Sequence, residues 1–399
     1  MEMIKVDINK IFLSEFLKNA FYDSCEVKFS DGTTQKFGDD DSKFKIIIND
    51  NIPKKDIIAD PFLTLGEAYM DNIIDFEGSI QEIIESVYKN KESFLHKAGM
   101  FQKLNKLKPN SIKKSKNDIQ YHYDLGNDFF KLWLDDTMSY SCAYFKDEKD
   151  TLYKAQLNKI DHILKKLNLK EGQKIVDIGC GWGDLIITAA KKYNVHALGI
   201  TLSSEQFKKV NETIKENNLE DKVEVRLLDY RDLAKSGEKF DRVVSVGMVE
   251  HVGKKNLSLY METVNKLLKD GGTSLLHCIT AQTEGEVNEW IRRYVFPGGY
   301  IPSTRELVAL MPDYDFHLTD VESLRLHYAR TLSCWASNFE EAMDEVRKMK
   351  DERFIRMWRL YLNACAASFH YGVMDINQFI FTKGLNNDIP STRDYMYKD

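Results

Sequence analysis

The sequence predicts an α/β fold, a doubly wound parallel sheet preceded by a small N-terminal α+β domain, and three observations carry that reading. Ile175-Val176-Asp177-Ile178 is an apolar run that breaks into Gly179, Gly181 and Gly183 and then turns helical over Asp184–Lys192. Strand-like and helix-like patterns then alternate as far as Ile279, which means parallel strands joined by right-handed crossovers. Near the N-terminus two short strand-like runs flank Asp31-Gly32, a hairpin signal.

In chain order, Val27–Ser30 and Thr33–Phe37 read as the hairpin arms and Phe44–Ile48 as a third strand. Leu65–Met70 starts a helix. Ser79 caps another, with Glu82 three residues later as a capping box. Residues 91–116 then set eight lysines against one acid, Glu92, with Phe94, Leu95, Met100, Phe101, Leu104 and Leu107 interleaved. That segment is either a solvated linker or a basic amphipathic stretch resting on anionic lipid. From Asp118 the chain becomes one long α/β unit. Its expected strands are Ile175–Ile178, Val195–Ile200, Val223–Leu227, Val243–Gly247 and Thr273–Ile279. Helices fall at Ser204–Asn217 and Leu257–Leu268, the second ending at Asp270-Gly271-Gly272 as a glycine stop. After Thr280 the pattern is mostly helical and aromatic. Trp290–Ser303, with Pro297-Gly298-Gly299, reads as an inserted lid, and Glu352–Tyr371 as a helix. The expected division is a domain over 1–90, a basic linker over 91–117 and a catalytic domain over 118–399.

With 399 residues, 43% of them hydrophobic and 30% charged, the chain can bury a sizeable core and present a soluble surface. A net charge of −6 gives no general case for nucleic acid. The six cysteines form no C-x-x-C pair, so zinc and redox motifs are not expected, and reduced thiols in a cytoplasm are. The N-terminus shows no signal-peptide core, and no apolar run approaches the roughly 20 residues that span a bilayer. Membrane contact is therefore expected to be peripheral.

A strand, a glycine turn and a helix N-terminus make a nucleotide-type site. A dinucleotide fits it poorly, because glycine is wanted where Asp184 stands. Asp177, before the glycines, suits a cationic ligand. S-adenosyl-L-methionine (SAM) carries an ammonium and a sulfonium but no phosphate, and D-x-G-x-G-x-G resembles the first motif of the Rossmann-like class I SAM-dependent methyltransferases. Ligands of such sheets bind beyond the carboxyl ends of the strands. The second strand end offers Thr201 and Gln206, a hydroxyl and an amide, for ribose hydroxyls. The third offers Tyr230, which either packs on an adenine face or is a loop aromatic. The fourth and fifth bring Glu250 and His277, which either share a cavity suited to proton removal or form an ordinary salt bridge and a packed imidazole.

The ordered strings Y-H-Y-D-L-G-N-D-F-F from Tyr121, Y-S-C-A-Y-F from Tyr140, D-I-G-C-G-W-G, S-V-G-M-V-E-H-V-G, L-L-H-C-I, Y-V-F-P-G-G-Y-I-P-S and L-N-A-C-A-A-S-F then resemble one family. From about Asp118 onward the chain looks like the bacterial cyclopropane-fatty-acyl-phospholipid synthases; residues 1–90 resemble the family's lipid-binding accessory domain more weakly. The resemblance implies helical insertions forming a lipid pocket. It implies transfer of a methylene from SAM to a cis double bond of phospholipid acyl chains, at the inner face of the membrane, with bound bicarbonate as base. The alternatives are a lipid C-methyltransferase that closes no ring and a lipid-binding protein with a vestigial SAM site. Bicarbonate ligands carry over onto Cys142, Glu250, His277, Tyr328 and the backbone of Ile279. SAM contacts carry over onto Tyr140, Ser141, Gly179, Gly181, Thr201, Leu202, Gln206, Tyr230 and Arg231. Cys365 falls at a position assigned as catalytic. It also sits on the apolar face of its helix, where a small thiol is ordinary core, and Trp335 and Tyr361 are open between pocket wall and packing. A homodimer is a family property that no feature of this sequence demands.

Overall fold

The structure, a computed structural model, describes residues 8–93 and 126–397. Within them, residues 8–93, 285–297 and 332–373 form one compact unit, and 126–284, 298–331 and 374–397 form the other. Most of the lysine-rich segment and the start of the Tyr121 string lie outside the described residues.

The first unit is built on a sheet of four strands, β1 (Cys25–Lys28), β2 (Thr34–Phe37), β3 (Phe44–Ile48) and β4 (Ile74–Glu77), in the order β2-β1-β3-β4. The hairpin forms as expected, β1 antiparallel to β2, with Gly32 taking the positive φ (83°) of the turn. Ser79 caps the helix Ile80–Lys89 by accepting from the Glu82 N–H at 3.3 Å. β4 has no strong sequence signal, since Ile74-Asp-Phe-Glu is short and half polar. Leu13, Val27, Ile46, Ile57 and Ile83 share its apolar core.

Packing joins to these residues two later segments that chain order alone assigns to 118–399. The helix Glu352–His370 inserts Arg356, which donates to the carbonyls of Tyr69 and Ile74 and to Asp75. Its guanidinium also lies 4.1 Å from the Tyr69 ring centroid. Ser368 pairs with Tyr88 at 2.8 Å and His370 with Glu85 at 2.7 Å. The expected lid is divided between the units at Pro297. Its helix Glu289–Tyr294 packs on the helix Pro61–Met70, where Tyr294 donates to Glu67 at 2.6 Å. Gly66 permits that approach, because a Cβ there would stand 2.4 Å from the Trp290 ring.

The second unit holds a sheet of seven strands in the order β10-β11-β9-β8-β5-β6-β7. These are β5 (Lys174–Ile178), β6 (His196–Thr201), β7 (Val223–Leu227), β8 (Phe240–Val246), β9 (Leu268–Ala281), β10 (Phe316–Ser323) and β11 (Met374–Lys383). β5 to β9 are parallel, and β11 runs antiparallel between β9 and β10. The strand order reverses beside β5, with β6 and β7 on one side and β8 and β9 on the other. That places a crevice at the carboxyl end of β5. Alternate residues of β5 face two cores: Val176 and Ile178 meet Tyr260 and Leu276, while Ile175 meets Ile186, Val210 and Val244.

Two expectations differ from the structure. The helix Leu257–Leu267 ends without a glycine stop, because Leu268 is already extended and β9 runs through Asp270-Gly271-Gly272. Strands β10 and β11 occupy part of the stretch read as mostly helical. In β11, buried Asn377, Gln378 and Thr382 interrupt an apolar run that would otherwise have signalled a central strand. Among the described residues no helix is long and apolar enough to cross a membrane.

Candidate active site

The glycine turn sits at the reversal of strand order. Gly179, Gly181 and Gly183 all adopt positive φ, at 87°, 54° and 92°, so the turn that closes β5 excludes side chains by backbone geometry. The turn is pinned to β6, since the N–H groups of Gly179 and Cys180 both donate to the Ile200 carbonyl at 3.0 Å. The helix Asp184–Tyr193 follows at once and offers its free N–H groups to the crevice.

One cavity opens over this turn. All nine residues expected to touch SAM line it: Tyr140, Ser141, Gly179, Gly181, Thr201, Leu202, Gln206, Tyr230 and Arg231. Thr201 Oγ1 donates to Gln206 Oε1 at 2.7 Å, which aligns hydroxyl and amide at the end of β6. Arg231 is held by Asp229 through Nε at 2.8 Å and Nη2 at 2.6 Å, a bidentate pair, and lies 5.2 Å from the Tyr230 ring centroid. Tyr230 is buried edge-on against Tyr260, with centroids 5.8 Å apart, so it is a wall of the cavity and not a free loop aromatic. Tyr140 stands among Phe130 and Trp133, at 5.5 and 5.4 Å.

Electrostatics on the strand side favour a cation. Asp177 is buried, its Oδ1 has no hydrogen-bond partner among the described residues, and burial pushes its carboxyl up to about 7 against the pull of Lys159. An ammonium placed there would return it to the ionised form.

Glu250 and His277 come together at the neighbouring strand ends. β8 and β9 pair in register with Val246 opposite His277, and Gly247 N–H donates to the His277 carbonyl at 2.9 Å. Glu250 follows on the short 3₁₀ turn Val249–His251, and its Oε1 accepts from the Ile279 N–H at 2.7 Å. The N–H of Ile279 therefore serves to position Glu250. Burial raises the Glu250 carboxyl to about 7 and lowers His277 to about 3. His277 is thus neutral. Gln378, opposite it on β11, lies with Nε2 3.0 Å from Nδ1. An amide NH₂ can only donate, so Nδ1 accepts and the proton of the ring sits on Nε2.

Three atoms of this group are buried with no partner among the described residues: Gln378 Oε1, Glu250 Oε2 and His277 Nε2. Of the last two, the carboxylate oxygen accepts and the ring nitrogen donates. A small oxyanion carrying one hydroxyl satisfies both, so the residues present fit bicarbonate. Cys142 is buried with its Sγ directed at the carbonyls of Ala143 and Leu324, at 3.3 and 3.9 Å, and burial pushes its thiol up. Leu324 leads into the helix Arg325–Glu341, where Tyr328 is buried in the first turn. Cys365 lies on Glu352–His370 in the first unit; burial pushes its thiol up to about 12, which leaves it protonated at neutral pH. Trp335 and Tyr361 belong to that unit too, and Tyr361 packs edge-on against Phe296 and Trp358, at 5.7 and 5.3 Å.

Sequence reasoning did not single out Lys159 or Gln378. Lys159 carried one available signal: it lies four residues from both Ala155 and Ile163, on the buried stripe of the helix Leu152–Lys166.

Comparison with known proteins shows the family. A family model described as mycolic acid cyclopropane synthetase matches residues 110–379, and a domain of unknown function (DUF7884) matches residues 12–99. The chain is 40% identical over 347 residues to the probable fatty acid methyltransferase of Pseudomonas putida, covering 84% of this chain and 86% of that one. It is 42% identical over 273 residues to the cyclopropane-fatty-acyl-phospholipid synthase of Escherichia coli (strain K12), covering 68% and 69%. Among solved structures, the mycolic acid cyclopropane synthase CmaA1 complexed with SAH and CTAB matches with a TM-score of 0.63 at 33% identity, over 70% of this chain and all of that one (100%). The doubly wound sheet is accordingly the class I methyltransferase fold. On the match over residues 110–379, this chain belongs to the mycolic acid cyclopropane synthetase family.

Proposed function

We propose that the protein is a SAM-dependent cyclopropane-fatty-acyl-phospholipid synthase, adding a methylene across the cis double bond of phospholipid acyl chains. One observation supports this above others. A cavity lined by every expected SAM contact also takes in Gly247, Met248, His251 and Val252, the residues on either side of Glu250, whose Oε2 is buried with no partner among the described residues, as is His277 Nε2. SAM would supply an electrophilic methyl group, and bicarbonate, held by Glu250 and His277, would supply an oxygen base.

The residues of the chain do the rest. The glycine turn, Thr201 and Gln206 fix the nucleoside end and so orient the donor. Alignment of this kind lowers a barrier by roughly 7–11 kcal/mol in favourable systems. Glu250 holds and accepts a proton at Oε2, Ile279 fixes its carboxylate, and the Nε2–H of His277 donates to the anion. Tyr328 and Cys142 complete the proposed anion site, and Cys365 is proposed as catalytic only in the weaker sense that the resemblance places it so. Buried Phe130 and half-buried Tyr140 exclude water, which would trap a cationic lipid intermediate, and an aromatic face stabilises such a cation by roughly 0.5–2 kcal/mol. The acyl substrate places the protein at a membrane surface, with the lysine-rich segment as the proposed contact and the cytoplasmic face as the proposed location.

The Pseudomonas relative favours a second reading, methyl transfer to a fatty chain without ring closure. Incubation with SAM and vesicles of unsaturated phospholipid separates the two. Cyclopropanation yields acyl chains heavier by one CH₂ in which vinyl protons are lost and cyclopropyl protons appear by NMR. A product that keeps its alkene or gains a plain methyl supports the second reading, and an unchanged lipid overturns both.

A further inference from the structure

The cavity contains a buried cation whose role the nucleoside contacts do not explain. Lys159 is 5% exposed, on the inward face of the helix Leu152–Lys166, and lines the same cavity as the glycine turn. Its Nζ donates to Ser141 Oγ at 3.0 Å and to Ser139 Oγ at 3.5 Å. Gln156, three residues earlier on the helix, donates to the Ser141 carbonyl at 3.0 Å and the Ser139 carbonyl at 3.4 Å, so the serines are held in place. Asp184, Asp135 and Asp177 act on Lys159 through space, yet among the described residues no carboxylate oxygen lies within 4.0 Å of Nζ. A buried ammonium served by two neutral hydroxyls is incompletely satisfied, whereas Lys166 on the same helix is fully paired with Glu322.

In the lining of the same cavity, Asp177 Oδ1 is buried with no hydrogen-bond partner among the described residues. One lining therefore presents an unsatisfied acceptor and an under-satisfied cation. An α-amino acid carries the complementary pair, an ammonium and a carboxylate on one carbon. We propose that Lys159, with the Ser141 hydroxyl, binds the α-carboxylate of the methionine portion of SAM while Asp177 faces its ammonium. Lys159 thereby selects a donor with an intact amino-acid end over one without it. The inference rests on the SAM reading above and adds a specificity residue to it.

Calorimetry on the full chain tests this with two probes that differ only at the carboxylate, SAM and decarboxylated SAM. Lys159→Met is expected to weaken SAM at least tenfold while decarboxylated SAM binds as tightly as before or tighter, because a repelling cation has gone. Lys159→Arg is expected to recover part of the SAM affinity. Should the methionine variant not fold, Lys159→Gln, which keeps a donor to the serines, takes its place with the same expectation. Equal weakening of both probes, or undiminished SAM binding, overturns the assignment. A wild-type chain that binds neither probe overturns the SAM reading itself, an outcome distinct from either.

Discussion

Glu250→Gln separates catalysis from stability in a way the structure makes quantitative. A carboxyl raised by burial from 4.5 to about 7 holds its proton more tightly folded than unfolded. Between those two values the folded chain keeps a proton that the unfolded chain has released, so stability falls as pH rises through that window. Above pH 7 the loss is complete and amounts to about 3 kcal/mol. Glutamine resembles the protonated acid: its carbonyl still accepts from the Ile279 N–H, and its NH₂ stands where the acid proton would. The variant should therefore be more stable than wild type by about 3 kcal/mol at pH 8, and by less than about 1 kcal/mol at pH 5. Turnover should fall by about 10²–10⁴, the usual scale for losing a proton acceptor. Urea unfolding at the two pH values in carbonate-free buffer, with product formation measured by mass, checks both halves. A variant less stable at pH 8, a stability offset equal at both pH values, or turnover within twofold of wild type would refute the reasoning.

Two further outcomes follow from named contacts. Gln378→Leu removes the amide donor that reaches the His277 ring from β11, so ¹⁵N shifts of labelled histidine should show loss of the pure Nε2–H tautomer, with turnover reduced about tenfold or more; an unchanged tautomer would show that Gln378 does not set it. Arg356→Ala removes the guanidinium donor from the Tyr69 and Ile74 carbonyls and from Asp75, and denaturant unfolding should register a loss of about 3 kcal/mol, whereas a loss below about 1 kcal/mol would mean that water replaces the guanidinium.

Most of the second unit was legible because its strands are buried, apolar and separated by strong punctuation. The run Ile175–Ile178 followed by three glycines has few alternative conformations, and all three glycines do occupy positive φ. Most of the residues proposed to face SAM were legible because they stand at strand ends, whereas Tyr140 and Ser141, on the loop before the helix Leu152–Lys166, were reached only through the resemblance. What stayed hidden depends on contacts between distant segments. Gln378 acquires meaning only when β11 pairs with β9, a choice that no local pattern in Met374–Lys383 encodes. Arg356 reads as a surface residue of an amphipathic helix until the Tyr69 and Ile74 carbonyls are placed beside it. The helix stop expected at Gly271-Gly272 failed for a similar reason: β9 already pairs with β8 at Leu268, through Phe240, and with both β8 and β11 from Thr273, so the glycines lie inside a strand.

The pairing of Gln378 with His277 also bears on how the protein comes into being at the ribosome. Strands β5 to β9 lie in one stretch of chain and can assemble early, but the partner that fixes the imidazole arrives about a hundred residues after it. A nascent polypeptide halted before Met374 would hold a nearly complete sheet whose reactive centre is still untuned. Chemical competence is thus conferred late in synthesis, when the final described strand slots between its two neighbours.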